Sequence, residues 1–228
     1  MTDLRLFVPF LLRGLGVTVE VFALSALVGA VSALIAGFAL LSRRRWLRFI
    51  ARGYVEVFRG TSAIVQLFWF YFALPLLGIT LPAVLASVLA LGLNGGSYGA
   101  EVVRQAVRAV PVEQYDAAAA LNLSHAQQMR RVIFPQAVVA MLPSAGNLLI
   151  QMLKSTSLIS LVTLQDLTFR GQLLIEDTLK TTQVYTYLLI IYFMLAFVLA
   201  QLVRLVERLM SRGLDYGVLA ASPYARAR

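Results

Sequence analysis

The chain has 228 residues, a formal net charge of +9, 60% hydrophobic and only 14% charged residues, and a mean hydropathy of +0.80. Soluble domains lie nearer about 45–50% apolar and about 25% charged, so these figures exclude intrinsic disorder and argue against a water-soluble globule. With no cysteine, the chain can form neither a disulfide framework nor a thiolate metal site.

The remaining class is an all-α polytopic membrane protein, whose spanning helices need about 20 mostly apolar residues each. No short apolar segment with a cleavage site precedes the first long run, so no removable signal peptide is expected. Residues 21–41 carry no charge and predict a span over 17–41. Residues 60–100 are uncharged for 41 positions, the length of two spans, 60–78 and 81–103. They part at Gly78-Ile79-Thr80-Leu81-Pro82, where Gly stops one helix and Pro starts the next. Residues 132–153 and 181–203 predict spans 136–154 and 182–204, with Pro135 and Pro143 interrupting the former. The expectation is five transmembrane helices in a single transmembrane domain over residues 1–228.

Five spans put the termini on opposite sides. Residues 42–59, 101–131 and 204–228 hold 15 of the 20 basic residues, all arginine, whereas 1–14, 79–81 and 154–180 hold five. The positive-inside rule places the first group in the cytoplasm, with the N-terminus outside and the C-terminus cytoplasmic. That placement accounts for the net charge, so lipid is an expected partner and nucleic acid is not.

The cytoplasmic loop 104–135 reads as a short helix, a turn and a second short helix. Pro111 can start the first helix, and the alanine-rich run from Asp116 to Leu121 extends it. Asn122 is suited to a left-handed turn. Ser124 with Gln127 forms a capping-box pattern, and Pro135 is expected to end the second helix. Residue by residue, this could be an interfacial connector.

The same loop resembles the cytoplasmic motif of ATP-binding-cassette importer permeases, E-A-A, three residues, G, nine residues, I, one residue, L-P. Asp116-Ala117-Ala118, Asn122, Val132 and Phe134-Pro135 stand at those spacings, with Asp for Glu, Asn for Gly, Val for Ile and Phe for Leu. Glu56-Val-Phe-Arg59-Gly-Thr61, Asn94-Gly-Gly-Ser-Tyr98-Gly-Ala-Glu101, Phe134-Pro-Gln-Ala137 and Leu153-Lys154-Ser-Thr-Ser157 are similar to the polar amino-acid group, which handles histidine, glutamine or arginine. Within it, residues 56–70 and Asp166-Leu-Thr-Phe-Arg resemble the ectoine and hydroxyectoine permeases. The resemblance spans roughly residues 10–210. It implies a type I importer permease fold in a bacterial inner membrane. It also implies a second permease subunit, like or unlike, an external substrate-binding protein, and a cytoplasmic ATPase dimer that carries ATP and Mg. Asp116, Ala117, Ala118, Asn122 and Pro135 would couple the chain to that ATPase. The chain itself has no Gly-rich Walker loop, so no catalytic residue and no cofactor is expected in it.

Polar groups within spans are costly in lipid and mark candidate solute contacts. Gln66, Asn94, Ser97, Gln151, Lys154, Ser155 and Thr156 form that set, and Glu101 with Arg104 reads as a structural i,i+3 pair. Asn94-Gly-Gly-Ser97 is expected to interrupt span three, the alternative being close helix packing through small residues. Lys154 could equally be an interfacial anchor. With one histidine in the chain, a metal site is not expected. A channel or secondary transporter for small polar solutes is the competing class, but neither an internal repeat nor a carboxylate at mid-depth supports it. A membrane enzyme would need a nucleophile–base or metal constellation, which one histidine and no cysteine do little to provide.

Overall fold

The computed structural model describes residues 2–211, without the side chains of residues 2–6 and 8. These residues are almost entirely helical and contain no strand. The part of the predicted cytoplasmic tail from 212 to 228 lies outside the described residues. Four helical stretches are long and apolar enough to cross a membrane: Pro9–Leu41, Ala83–Arg108, His125–Val162 and Thr181–Ser211. A fifth is a bent pair, Arg45–Gly60 with Ala63–Leu77, whose halves meet at 103°.

Helix α1 (Thr2–Leu41) begins well before the predicted boundary at residue 17. One face of it, Leu27, Val31 and Ile35, is exposed, as a lipid-facing stripe should be. The other face packs on α4 (Ala83–Arg108) in the most extensive helix pairing of the fold. The approach is close because small residues face one another. A methyl added to Gly96 would lie 1.9 Å from Ser32 Oγ and 2.9 Å from the Gly29 carbonyl oxygen. One on Gly92 would lie 2.8 Å from Val28 Cβ, and one on Gly37 would lie 2.7 Å from Val103 Cβ. In lipid, where the hydrophobic effect does not drive helices together, such contact supplies the dispersion that joins them. The expected break at Asn94–Ser97 is therefore absent. α4 runs through the two glycines unbroken, because their missing side chains make room for neighbours rather than for a bend, Gly96 for α1 and Gly95 for Met152 of the later helix 134–155.

Residues 42–59, expected as a loop, contain α2 (Arg45–Gly60). The second span follows as α3 (Ala63–Phe68), a π turn (Trp69–Ala73) and a 3-10 turn (Leu74–Leu77). Gly78 then stops it at φ +86°, and Pro82 precedes α4, as the break in the sequence predicted. The aromatic run along this span stands largely at the surface, with Trp69 and Phe72 exposed.

Neither Pro135 nor Pro143 ends a helix. After α5 (Val112–Ala120), the short helix α6 (His125–Gln128) passes through a π turn (Met129–Ile133) into α7 (Phe134–Ser155). The Phe134 N–H donates to the Met129 carbonyl, five residues back. This wider turn absorbs a proline ring that would clash with a carbonyl four residues earlier. A 3-10 turn (Thr156–Val162), α8 (Leu167–Thr178) and α9 (Thr181–Ser211) complete the chain.

Candidate functional site

The predicted polar residues do not form one site. Asn94, Gln151 and Ser155 come together, with Tyr98, around a cavity of about 20 Å³ between α4 and α7. That is the room of roughly one water molecule. Lys154 is exposed and lines a separate cleft of about 540 Å³ between α7 and α9, beside Ser157 and Tyr192. Ser97 and Thr156 are fully buried and donate to carbonyls of their own helices, Asn94 O at 2.6 Å and Leu153 O at 2.7 Å.

Gln66 is buried at the elbow between α2 and α3. Its Nε2 donates to the carbonyls of Phe58 (2.9 Å) and Thr61 (3.2 Å) and to the Thr61 hydroxyl (2.7 Å). Asn94 Nδ2 reaches the same Phe58 carbonyl at 2.9 Å. The two amides thus clasp the end of α2, and Asn94 joins the elbow to the α4–α7 cavity. Arg59, in the last turn of α2, stacks over the Tyr98 ring at 5.1 Å. Glu101 and Arg104 form the expected pair, with Arg104 Nε to Glu101 Oε2 at 2.8 Å, and Gln105 adds a further bond.

The loop after α4 has the predicted form. α5 is one helix, Asn122 adopts φ +54°, and Ser124 with Gln127 makes a complete capping box. α5 is held by its own chain: Tyr115 OH donates to the Val107 carbonyl at 3.1 Å, and Gln136 Nε2 to Gln114 Oε1 at 3.2 Å. Ala118 is buried at 2% exposure and faces inward, whereas Asp116, Ala117 and Asn122 are exposed. Val112 and Leu121 stand out at the two ends, 64% and 74% exposed, leaving an apolar ridge with two exposed carboxylates, Glu113 and Asp116, along it.

A second polar cluster was not anticipated from composition or spacing. Asp166 is fully buried and caps α8, its Oδ1 accepting the Phe169 N–H at 2.9 Å. Thr168 and Tyr192 share a hydroxyl hydrogen bond of 2.9 Å, and Thr18 Oγ1 accepts the Leu167 N–H at 3.1 Å. A methyl on Gly14 would lie 2.5 Å from the Asp166 carbonyl oxygen, so α1 meets this loop backbone to backbone. Burial pushes the Asp166 carboxyl up to about 6. Asp before Leu-Thr-Phe is a readable N-cap signal, but its burial is not readable.

Residues 26–212 match the family of binding-protein-dependent transport system inner membrane components. The chain belongs to this family. It is 46% identical over 206 residues to the "Probable amino-acid ABC transporter permease protein y4tF" of Sinorhizobium fredii, covering 88% of this chain and 87% of that one. It is 32% identical over 207 residues to the L-cystine transport system permease protein TcyB of Bacillus subtilis, covering 90% and 88%. Among solved structures, that of an amino acid ABC transporter with histidines superposes with a TM-score of 0.85 at 33% identity, covering 91% of this chain and 97% of that one. The fold is thus that of a type I ABC importer permease, an inner-membrane component.

Proposed function

We propose that the chain is the membrane subunit of an amino-acid importer, taking polar amino acids or a related zwitterion such as ectoine or hydroxyectoine. ATP is hydrolysed with Mg on a separate ATPase dimer. The arginine-rich side faces the cytoplasm, so the N-terminus is outside and the C-terminus inside. A second membrane subunit, the same chain or a homologous one, completes the pathway, and an external binding protein delivers the solute. The exposed ridge of α5 around Asp116 and Ala117 seats in a groove of the ATPase. Buried Ala118 and the left-handed turn at Asn122 hold that ridge in place, and Pro135 lies in the helical rod that carries its motion into α7.

The observation that carries this reading is the polar seam where Tyr98, Gln151 and Ser155 meet, beside Asn94, between two spanning helices; its cavity has the room of about one water, so it must widen to admit a solute. Amide and hydroxyl groups both donate and accept, so they can meet the ammonium and the carboxylate of a zwitterion. Lys154 lines the separate α7–α9 cleft and offers a charge-assisted bond to a carboxylate there, a second contact on the pathway. Mostly uncharged contacts suit a solute that must also be released. The amino-acid names of the relatives support the same substrate class.

The test is ATP hydrolysis by the reconstituted complex with its binding protein, across arginine, histidine, glutamine, cystine and ectoine. Stimulation by at least one is expected, and stimulation by none overturns the reading. Orientation is read by labelling in sealed vesicles: Ser42→Cys is expected to react only from the cytoplasmic side and Asp177→Cys only from outside.

A further inference from the structure

Helix α2 has three faces. Ala51 and Val55 are buried, with Tyr54 packed beside them, on the side turned to α1 and α4. Away from these, Trp46, Phe49, Ile50 and Val57 are 57%, 78%, 61% and 60% exposed and, at the helical repeat, form one stripe. Arg45, Arg48, Arg52 and Arg59 run along the band between the two. Residues 43–60 carry six arginines against the single acid Glu56. Among the described residues no carboxylate of the chain pairs with Arg45, Arg48 or Arg52, since the ion pair present there joins Arg104 to Glu101.

The direction of α2 decides which surroundings fit it. It turns 103° from Ala63–Leu77; with Ala63–Leu77 taken as the part that crosses, that turn sets the arginine-rich α2 along the cytoplasmic bilayer surface. The span it leads into is only 15 residues long, about 22 Å at the helical rise, which sets α2 close to the hydrocarbon boundary. A soluble acidic partner would satisfy the arginines but not four large apolar side chains beside them. A lipid leaflet satisfies both, because the stripe enters the acyl region while guanidinium groups reach phosphate oxygens. The net excess of unpaired cations selects anionic headgroups over zwitterionic ones.

We propose that α2 is an in-plane helix that holds anionic lipid headgroups through Arg45, Arg48 and Arg52. Its last turn carries the Phe58 carbonyl clasped by Gln66 and Asn94, so the lipid contact is one helix away from the α4–α7 cavity.

The chain has two tryptophans, so Trp69→Phe leaves Trp46 as the sole reporter on α2. The full-length chain is reconstituted in phosphatidylcholine vesicles containing about 30 mol% phosphatidylglycerol, a strongly charged surface. Either lipid in turn carries bromine on its acyl chains as the quencher. Trp46 is expected to be quenched by both, with the anionic-to-zwitterionic ratio around it about fivefold or more above the bulk ratio, since each arginine near such a surface contributes roughly that factor. About 0.5 M salt, which shortens electrostatic range to a few ångströms, is expected to remove most of the enrichment. Arg45→Gln/Arg48→Gln/Arg52→Gln is expected to abolish it while leaving quenching itself. Should a tryptophan variant fail to fold, a fluorophore on Phe49→Cys in a chain with no other cysteine gives the same reading. Quenching by the two lipids in proportion to their bulk shares, or enrichment that survives the triple substitution, overturns the proposal. Absence of quenching also overturns it and assigns the stripe to a protein partner. No ATP or solute enters the measurement, so its outcome is separate from that of the transport reading.

Discussion

Asn94 on α4 donates its side-chain amide to the carbonyl of Phe58, 36 residues earlier in the chain, at 2.9 Å. Gln66 donates to the same oxygen, so one carbonyl at the end of α2 anchors both the following span and α4. Hydrogen bonds between membrane helices contribute about 0.6 kcal/mol on average and up to about 1.7. Asn94→Leu is expected to lower stability in detergent by that amount, and Gln66→Leu by a similar amount, measured as denaturant midpoints. Because the pair shares an acceptor, the double variant is expected to depart from additivity. Strict additivity would mean that packing rather than this carbonyl holds the elbow.

The α1–α4 contact predicts a contrast between glycines. Gly96→Ala places a methyl against the Gly29 backbone and the Ser32 and Tyr54 hydroxyls, whereas a methyl at Gly16 or Gly53 meets nothing within 4 Å. Overpacking costs about 1–3 kcal/mol, and Gly→Ala in a helix otherwise favours folding by about 1. Gly96→Ala is expected to reduce folded yield and melting temperature, and Gly16→Ala and Gly53→Ala to leave both unchanged or raised.

Asp166 predicts a pH dependence. Its carboxyl stands at about 6 in the fold against an ordinary 3.8, because burial disfavours the charge. Between those values the folded chain holds a proton that the unfolded chain has released. Stability therefore falls as pH rises from about 4 to 6 and stays reduced above that, by roughly 3 kcal/mol at the thermodynamic exchange rate for protons. Asp166→Asn keeps an oxygen for the Phe169 N–H and removes the charge. The wild type is expected to melt higher at pH 5 than at pH 8, and the variant to melt at nearly the same temperature in both.

The docking loop separates two roles. Asp116 is exposed, so Asp116→Lys is expected to leave the melting temperature alone while weakening ATPase co-purification and uptake. Ala118 is buried, so Ala118→Trp is expected to cost about 1–3 kcal/mol in the chain itself. Asn122→Gly is tolerated at φ +54°, whereas Asn122→Val costs about 1–2 kcal/mol, which limited proteolysis of the loop would register. Normal uptake by both Asp116→Lys and Ala118→Trp would remove α5 as the coupling element.

Lys154→Met tests the solute contact. A hydrogen bond to a charged group contributes about 1.5–3 kcal/mol, so the half-saturating solute concentration for uptake is expected to rise roughly 10- to 100-fold with basal ATP hydrolysis intact. Unchanged uptake would make Lys154 an interfacial anchor in the α7–α9 cleft.

Much of this was legible because it depends on neighbours in the chain. The stop at Gly78 and start after Pro82, the left-handed Asn122 and the Ser124 capping box each follow from a backbone preference of one or two residues. The motif at 116–135, with the segments at 56–61, 94–101 and 153–157, likewise led to the family by resemblance. Where the expectation failed, the deciding partner lay elsewhere. Pro135 looked like a helix end, but a π turn before it lets the rod continue. Residues 45–60 looked like a charged loop, although Trp46, Phe49, Ile50 and Val57 already stood at helical spacing.

The sequence by itself determined the class and, by resemblance, the family, and it marked the runs apolar enough to cross a membrane, since hydropathy over about 20 residues is a local sum that no fold can alter. Tertiary structure decided what the polar and small residues do. Gly95-Gly96 could bend α4 or receive a neighbour, and Met152 of α7 against Gly95 and α1 against Gly96 made it the latter. Asn94 and Gln66 could face a solute, yet both reach Phe58; Ala118 could face a partner, yet it is covered by its own chain. Such assignments depend on which atoms lie within a few ångströms across the fold, and one-dimensional spacing carries no record of that distance.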